Sequence, residues 1–282
     1  MNPRILLCTD LDRTLLPNGA EPESPAARKC FARLAARPEL CLAYVTGRHR
    51  SLVEQAIRNY FLPAPDFVLA DVGTTIYETR GGDWAVWPEW TEEISKDWAG
   101  HDHAQLQRLF ADLKTLRMQE MSKQNTYKLS YYVPLQADRM VLKQEMRERL
   151  ESVGVSASLV WSVDDPAGVG LLDVLPKRAT KLHAIEFLMQ RQGFSREETV
   201  FAGDSGNDLP VLVSPLQSVL VANAAQDVRE QARQIAARNG NDGTLYMAKG
   251  GYRGMNGNYA AGILEGLSHF RPETEQWWSE MT

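Results

Sequence analysis

The chain has 282 residues, 44% of them hydrophobic and 24% charged, and a formal net charge of −5. That length allows one large α/β domain or a core with a smaller second domain, and the composition argues against disorder. The negative balance also argues against nucleic-acid and anionic-membrane partners, which need a basic footprint, so any anionic substrate must be held by a few local cations and a metal.

The element signals alternate from the start. A strand is predicted over 5–9, a helix over 25–36, a strand over 40–45, a helix over 51–60 and another apolar run over 67–70. This rhythm predicts a doubly wound parallel sheet, in which ligands sit at the carboxyl ends of the strands. Pro17-Asn18-Gly19 has turn chemistry suited to a short flap after the first strand. From about Gly81 the character changes: Trp84, Trp87, Trp90 and Trp98 cluster, and helix signals over 103–118 and 138–152 alternate with strand signals over 127–133 and 158–163. Residues 168–175 are read as leading back to the core. A helix over 180–191, a strand over 199–202, a strand over 218–221 and a helix over 225–238 follow. The expected fold is therefore α/β, a doubly wound parallel-sheet core (1–82 and 172–282) with an inserted α+β cap (83–171).

Two short stretches concentrate the chemistry. Asp10-Leu11-Asp12-Arg13-Thr14 and Gly203-Asp204-Ser205-Gly206-Asn207-Asp208 each follow an apolar run. Carboxylates crowded at strand ends repel one another and persist with a cation or a proton between them. A hard-metal site with oxygen ligands and a nucleophilic Asp accounts for this, and phosphoryl transfer needs such charge neutralisation, which Mg²⁺ supplies. Asp10 is read as the nucleophile and Asp12 as the acid and base, Asp204 as a metal ligand and Asp208 as the group behind it. Asn207 and Ser205 add uncharged oxygens. Each pair taken alone also suits a turn or a helix cap. Thr46-Gly47-Arg48 combines a hydroxyl, a glycine and a helix start, which makes an oxyanion cradle, although a helix cap is the commoner role for such a threonine. Lys181 opens a helix and offers an ammonium to the phosphate, with Lys177 competing for the role. The cysteines Cys8, Cys30 and Cys41 lack paired or metal-ligand spacing and read as reduced thiols. With no signal-peptide stretch and no run of membrane-spanning length, a cytoplasmic protein without membrane contact is expected.

Taken in order, Asp10-x-Asp12-x-Thr14, Thr46, Lys181 and Gly203-Asp204-x-x-x-Asp208 resemble the four motifs of the haloacid dehalogenase superfamily, across nearly the whole chain. The resemblance implies a cap inserted after the third strand, Mg²⁺ as cofactor and a backbone carbonyl of Asp12 among the metal ligands. Finer features are similar to the sucrose-phosphate phosphatase branch: residues 43–48, Val72-Gly73-Thr74-Thr75-Ile76-Tyr77, the segment 90–98, Tyr127-Lys128-Leu129-Ser130-Tyr131-Tyr132, Asp173-Val174-Leu175-Pro176 and Val221-Ala222-Asn223-Ala224. The branch implies a glycosyl phosphate substrate, sucrose 6-phosphate first, bound by Gly47, Arg48, Asn207 and Asn223. Lys128 with Tyr127 or Tyr131 would line the sugar pocket, although a solvated lysine on a two-faced strand reads as well. Thr75 stands where the family often carries an acidic residue, and the tail over 250–270, with Gly251-Tyr252-Arg253-Gly254 and Asn256-Gly257-Asn258-Tyr259, is not shared by every branch. Mannosylfructose phosphate, a glycosylglycerate phosphate, a phosphosugar mutase of the same fold and a non-catalytic regulatory partner stay open. A monomer is expected, with a sugar-phosphate synthase the one protein partner considered.

Overall fold

The computed structural model describes residues 4–164 and 167–279. In chain order the elements begin with β1 (Ile5–Thr9), α1 (Ala27–Ala35), β2 (Leu40–Val45), α2 (Arg50–Tyr60), β3 (Phe67–Ala70), β4 (Thr75–Glu78) and β5 (Ala85–Val86). Next come α3 (Pro88–Ser95), α4 (His103–Leu109), β6 (Arg117–Met118), β7 (Leu129–Val133), α5 (Arg139–Ser152), β8 (Ala157–Asp164) and β9 (Val169–Pro176). The chain closes with α6 (Lys181–Gln192), β10 (Thr199–Gly203), α7 (Leu209–Leu212), β11 (Gln217–Leu220), α8 (Gln226–Asn239), β12 (Leu245–Met247), α9 (Ala260–Phe270) and α10 (Glu275–Trp278).

The chain divides into two compact units, Met1–Val86 with Lys181–Thr282, and Trp87–Thr180. In the first, one sheet has the order β12-β11-β10-β1-β2-β3-β4-β5. Its strands from β12 to β3 are parallel, and β4 and β5 extend it antiparallel. Every residue of β1, β2, β3 and β10 is buried, which is why these strands read as continuous apolar runs: helices cover both faces. The covering helices carry apolar stripes, Ala27, Phe31 and Leu34 on α1 and Val53 and Ala56 on α2. The core beneath them joins Ile5, Leu7, Leu42, Tyr44, Val200 and Val219 to Ile263, Leu264 and Leu267 of α9.

The second unit is an antiparallel sheet of order β6-β7-β9-β8. Helix α5 lays Leu142, Met146 and Leu150 inward and is capped by Asp138, whose carboxylate accepts from the amides of Met140 and Val141. Trp98, Leu106, Phe110, Leu129, Tyr131 and Val174 share that core.

Three expectations need correction. Strand β9 does not lead back to the larger unit: it pairs along its whole length with β8 and over residues 170–174 with β7, and the second unit keeps the chain to Thr180 instead of releasing it at 172. At the other boundary, β5 pairs with β4 and holds the chain in the first unit to Val86. The helix expected over 103–118 stops at Leu109, where the Arg149 guanidinium takes the Leu109 carbonyl at 2.7 Å, and Met118 pairs with Tyr131 as a strand. Sheet pairing and a side-chain stop outweigh helical spacing there.

Candidate functional site

Strand register assembles the site. Thr9 pairs with Tyr44 on one side and with Ala202 on the other, so the loops leaving β1, β2 and β10 emerge side by side at the carboxyl edge. The chain leaves β1 for β2 in one direction and β10 in the other, which is the switch point where open α/β sheets bind ligands. Asp10, Thr46 and Asp204 each stand within one residue of a strand end there.

Asp10, Asp204 and Asp208 bring carboxylate oxygens within 4.8 Å of one another, all three buried. Lys181 at the start of α6 bridges two of them, with Nζ 3.0 Å from Asp10 Oδ1 and 2.7 Å from Asp208 Oδ1. The other oxygen of Asp208 accepts from the Asp204 amide, the Ser205 amide and the Ser205 hydroxyl at 3.0–3.1 Å. Both of its oxygens are thus engaged, and Asp208 organises the loop and the lysine from behind. Gly203 makes this possible, because a Cβ there would fall 2.6–2.7 Å from the Asp208 side chain. Burial pushes Asp10 up to about 7; the Lys181 charge opposes this, and Asp208 and Asp204 add to it. Burial and Asp208 push Asp204 up to about 6. Burial would depress Lys181, but its two carboxylate partners outweigh that and hold it above the ordinary lysine value.

Asp12 is held differently. Arg48 grips it in a bidentate pair, Nε to Oδ2 at 2.7 Å and Nη2 to Oδ1 at 2.6 Å, and Asn18 Nδ2 donates to Oδ1 at 2.7 Å. Burial would raise this carboxyl, yet the Arg48 hydrogen bonds and charge keep it below the ordinary aspartate value. Arg13 and Thr14 reach the other acidic loop: Thr14 Oγ1 donates to Asp204 Oδ1 at 3.1 Å, and Arg13 Nε lies 3.4 Å from Asp204 Oδ2. A cavity of about 320 Å³ opens over this cluster, lined by Asp10, Asp12, Arg13, Gly47, Arg48 and Leu52 with Lys181, Asp204, Ser205 and Asn207. Its donors are oxygens and its carboxylates crowd around a single buried ammonium, so the residues fit a hard divalent cation.

The remaining expected site residues lie as follows. Thr46 is fully buried, its hydroxyl accepting from the Arg48 amide at 3.2 Å. The residue preceding α2 as its cap is His49, not Thr46, and His49 makes no capping bond. Asn223 belongs to the same unit but spends both ends of its amide on the protein: Nδ2 donates to the Arg13 carbonyl at 2.6 Å and Oδ1 accepts from the Tyr259 amide at 2.8 Å. Lys128 sits in the second unit, buried, with Nζ 4.0 Å from Asp173 Oδ2. Tyr131 is buried edge-on to Phe110 in that unit's core, and Tyr127 packs edge-on to Trp98. Lys177 is exposed in the second unit, and the buried Lys181 takes the place beside the carboxylates.

Sequence reasoning missed Arg13 and Asn18 as partners of the acids. It also missed the turn after β3, where Asp71 and Val72 both have positive φ, 53° and 62°. The Asp71 amide donates to the Arg48 carbonyl and the Val72 amide to the Thr46 carbonyl, so a strained turn braces the cradle. Left-handed backbone at Val, a β-branched residue, leaves no sequence signal.

A parallel sheet with paired acidic loops at its switch point, a buried lysine between them and a second α+β unit inserted in the chain define the haloacid dehalogenase class of hydrolases. The model of the sucrose-6F-phosphate phosphohydrolase family matches residues 3–271, and the chain belongs to that family. It is 56% identical over 278 residues to a putative HAD-like hydrolase of Nitrosococcus oceani, covering 98% of this chain and 74% of the relative. It is 28% identical over 276 residues to the probable sucrose-phosphatase 1 of Arabidopsis thaliana, covering 95% of this chain but only 60% of that relative's length. The sucrose-phosphatase of Synechocystis sp. PCC6803, solved with sucrose and phosphate, superposes with a TM-score of 0.71 at 27% identity, over 95% of this chain and 98% of that one. Among the described residues no helix is long and apolar enough to cross a membrane.

Proposed function

We propose that the chain is a Mg²⁺-dependent phosphatase that hydrolyses a glycosyl phosphate, sucrose 6-phosphate first, through an aspartyl-phosphate on Asp10. One observation carries this reading: three buried carboxylates share a 4.8 Å space with one bridging lysine at the carboxyl edge of a parallel sheet. Asp10 Oδ attacks phosphorus, the ester P–O bond breaks, and Asp12 gives its proton to the departing sugar oxygen. Asp12 then takes a proton from water, which attacks the aspartyl-phosphate and frees inorganic phosphate and Asp10. Lys181, Arg48 and the amides around Gly47 offset the charge of the phosphoryl oxygens. Mg²⁺ would be held by Asp10 and Asp204, the Asp12 carbonyl and, from behind, Asp208. When bound it supplies the charge neutralisation that phosphoryl transfer demands. Arg48 holds Asp12 in a bidentate pair, so the acid role requires Asp12 to leave that guanidinium as substrate enters. The inserted unit selects the sugar, with Lys128 as its candidate contact, and the buried free cysteines Cys8 and Cys41 suit a reducing, cytoplasmic setting.

The test is a panel of disaccharide and monosaccharide phosphates ranked by kcat/KM with and without Mg²⁺. Sucrose 6-phosphate should rank first, with release of free phosphate needing no bisphosphate activator. A higher kcat/KM for mannosylfructose phosphate or a glycosylglycerate phosphate would reassign the sugar. Absence of phosphate release from the whole panel would overturn the hydrolase reading.

A further inference from the structure

Residues 17–26 carry the loop that leaves the acidic motif after β1, and they form no helix or strand. Most are exposed or half-buried, and only Ser24 is buried, so burial does little to hold the loop in place. Nearby, Asn18 bonds Asp12 and the Arg13 amide and Glu23 pairs with Arg28; further anchors come from the far end of the chain. The Asn256 amide donates to Ser24 Oγ at 2.9 Å, and that hydroxyl donates back to Asn256 Oδ1 at 2.8 Å. Asn256 Nδ2 and Asn258 Nδ2 both donate to the Pro22 carbonyl, at 2.8 and 3.0 Å. The Tyr259 hydroxyl donates to the Glu21 carbonyl at 3.0 Å. Gly19 leaves room for that hydroxyl, since a Cβ there would lie 2.7 Å from it.

Tyr259 itself is fully buried with φ 52° and ψ −131°, a conformation almost reserved for glycine. A tyrosine keeps such a backbone only where its surroundings fix it. Here its amide is fixed on Asn223 Oδ1, and Asn223 Nδ2 is fixed on the Arg13 carbonyl. The start of the same segment is pinned by Glu265, which accepts from the Tyr246 hydroxyl and from the amides of Lys249 and Gly250 at 2.9–3.1 Å. Followed inward, the chain of contacts ends on the acids. The Arg13 amide donates to Asn18 Oδ1 at 2.8 Å, Asn18 donates to Asp12, and Thr14 and Arg13 hold Asp204.

We propose that residues 250–259 are a clasp that positions the loop after β1, and that Asn223 and Tyr259 are positioning residues for Asp12. The proposal rests on the acid–base reading of Asp12 given above. It also gives the tail motif a role and moves Asn223 from sugar contact to loop support.

The experiment compares Tyr259→Phe and Asn223→Ala with wild type and Asp12→Asn on two esters: sucrose 6-phosphate, whose alkoxide needs a proton to leave, and p-nitrophenyl phosphate, whose phenolate does not. A clasp that places Asp12 predicts a loss of about tenfold or more in kcat/KM on the sugar ester and less than about threefold on the aryl ester, following the pattern of Asp12→Asn. Far-UV circular dichroism should show the fold retained. If Asn223→Ala does not fold, Tyr259→Phe, which loses one hydroxyl, decides alone. Equal losses on both esters, or no loss, would overturn the positioning role. Hydrogen exchange at amides 13–24 reads the clasp without turnover: faster exchange in the variants supports it, and unchanged exchange overturns it. Should wild type hydrolyse neither ester, the phosphatase reading falls and the exchange measurement alone decides the clasp.

Discussion

Arg48 and Lys181 hold their carboxylates for opposite ends. Lys181 lies between two buried acids and replaces part of the charge that a metal would bring, whereas Arg48 neutralises a half-buried acid that the proposed reaction must set free. Removing Arg48 leaves burial opposed by the Asn18 hydrogen bond and the Lys181 charge alone, so Arg48→Ala should raise the Asp12 carboxyl, read by NMR titration of the side-chain carbon; an unmoved titration would contradict the pairing. Removing Lys181 strands two buried carboxylates. Lys181→Met should cost about 3–5 kcal/mol in a denaturant titration without metal, and a loss below about 1 kcal/mol would contradict its burial between the acids. The residue types of the motifs were legible because each stands where an apolar run ends. The partners were not: Arg13 and Asn18 are ordinary polar residues in sequence, and only the left-handed turn at Arg13, φ 57°, brings both against the acids. The resemblance to the sucrose-phosphate phosphatase branch implies Asn223 as a sugar contact, and its hydrogen bonds show which way its amide is spent.

β1, β2, β3, β10 and β11 of the parallel sheet were legible as elements because burial demands unbroken apolar runs, whereas β12, half-buried along its length, was not. Elements whose identity depends on distant partners were not. Residues 110–118 keep helical spacing but follow Arg149 and the sheet, and α9, buried along residues 260–268, carries glycines that weaken the helix signal. Helix α2 ends on Phe61 with φ 53° and 89% exposure, a left-handed stop made by a residue that gains nothing from burial. Phe61→Gly should therefore stabilise the protein by about 0.5–1 kcal/mol in a denaturant titration, and destabilisation would contradict the cap. At the end of β10 the reverse holds. Gly203→Ala should push the Asp208 side chain aside and weaken Mg²⁺ binding by about tenfold or more in calorimetry, because the new methyl has no space; unchanged affinity would separate Asp208 from the metal.

For the whole molecule, the acid cluster ties folding to pH. Asp10 at about 7 and Asp204 at about 6 lie above the ordinary 3.8, so the metal-free fold binds extra protons between about pH 4 and pH 7. Stability without metal should fall as pH rises through that window, by on the order of a few kcal/mol, because ionising crowded carboxylates costs the folded state. A divalent ion competes with those protons. Mg²⁺ should raise the thermal midpoint more at about pH 8 than at about pH 5.5, and an equal or larger gain at the lower pH would contradict the cluster as its site. The central claim is that phosphorus passes through Asp10, and an acid-quenched single turnover of sucrose 6-phosphate carrying a radiolabelled phosphoryl group tests it most directly. The account predicts transient, base-labile label on the peptide containing Asp10, absent in Asp10→Asn. Turnover in wild type with no protein-bound label, or label that survives in Asp10→Asn, would contradict it.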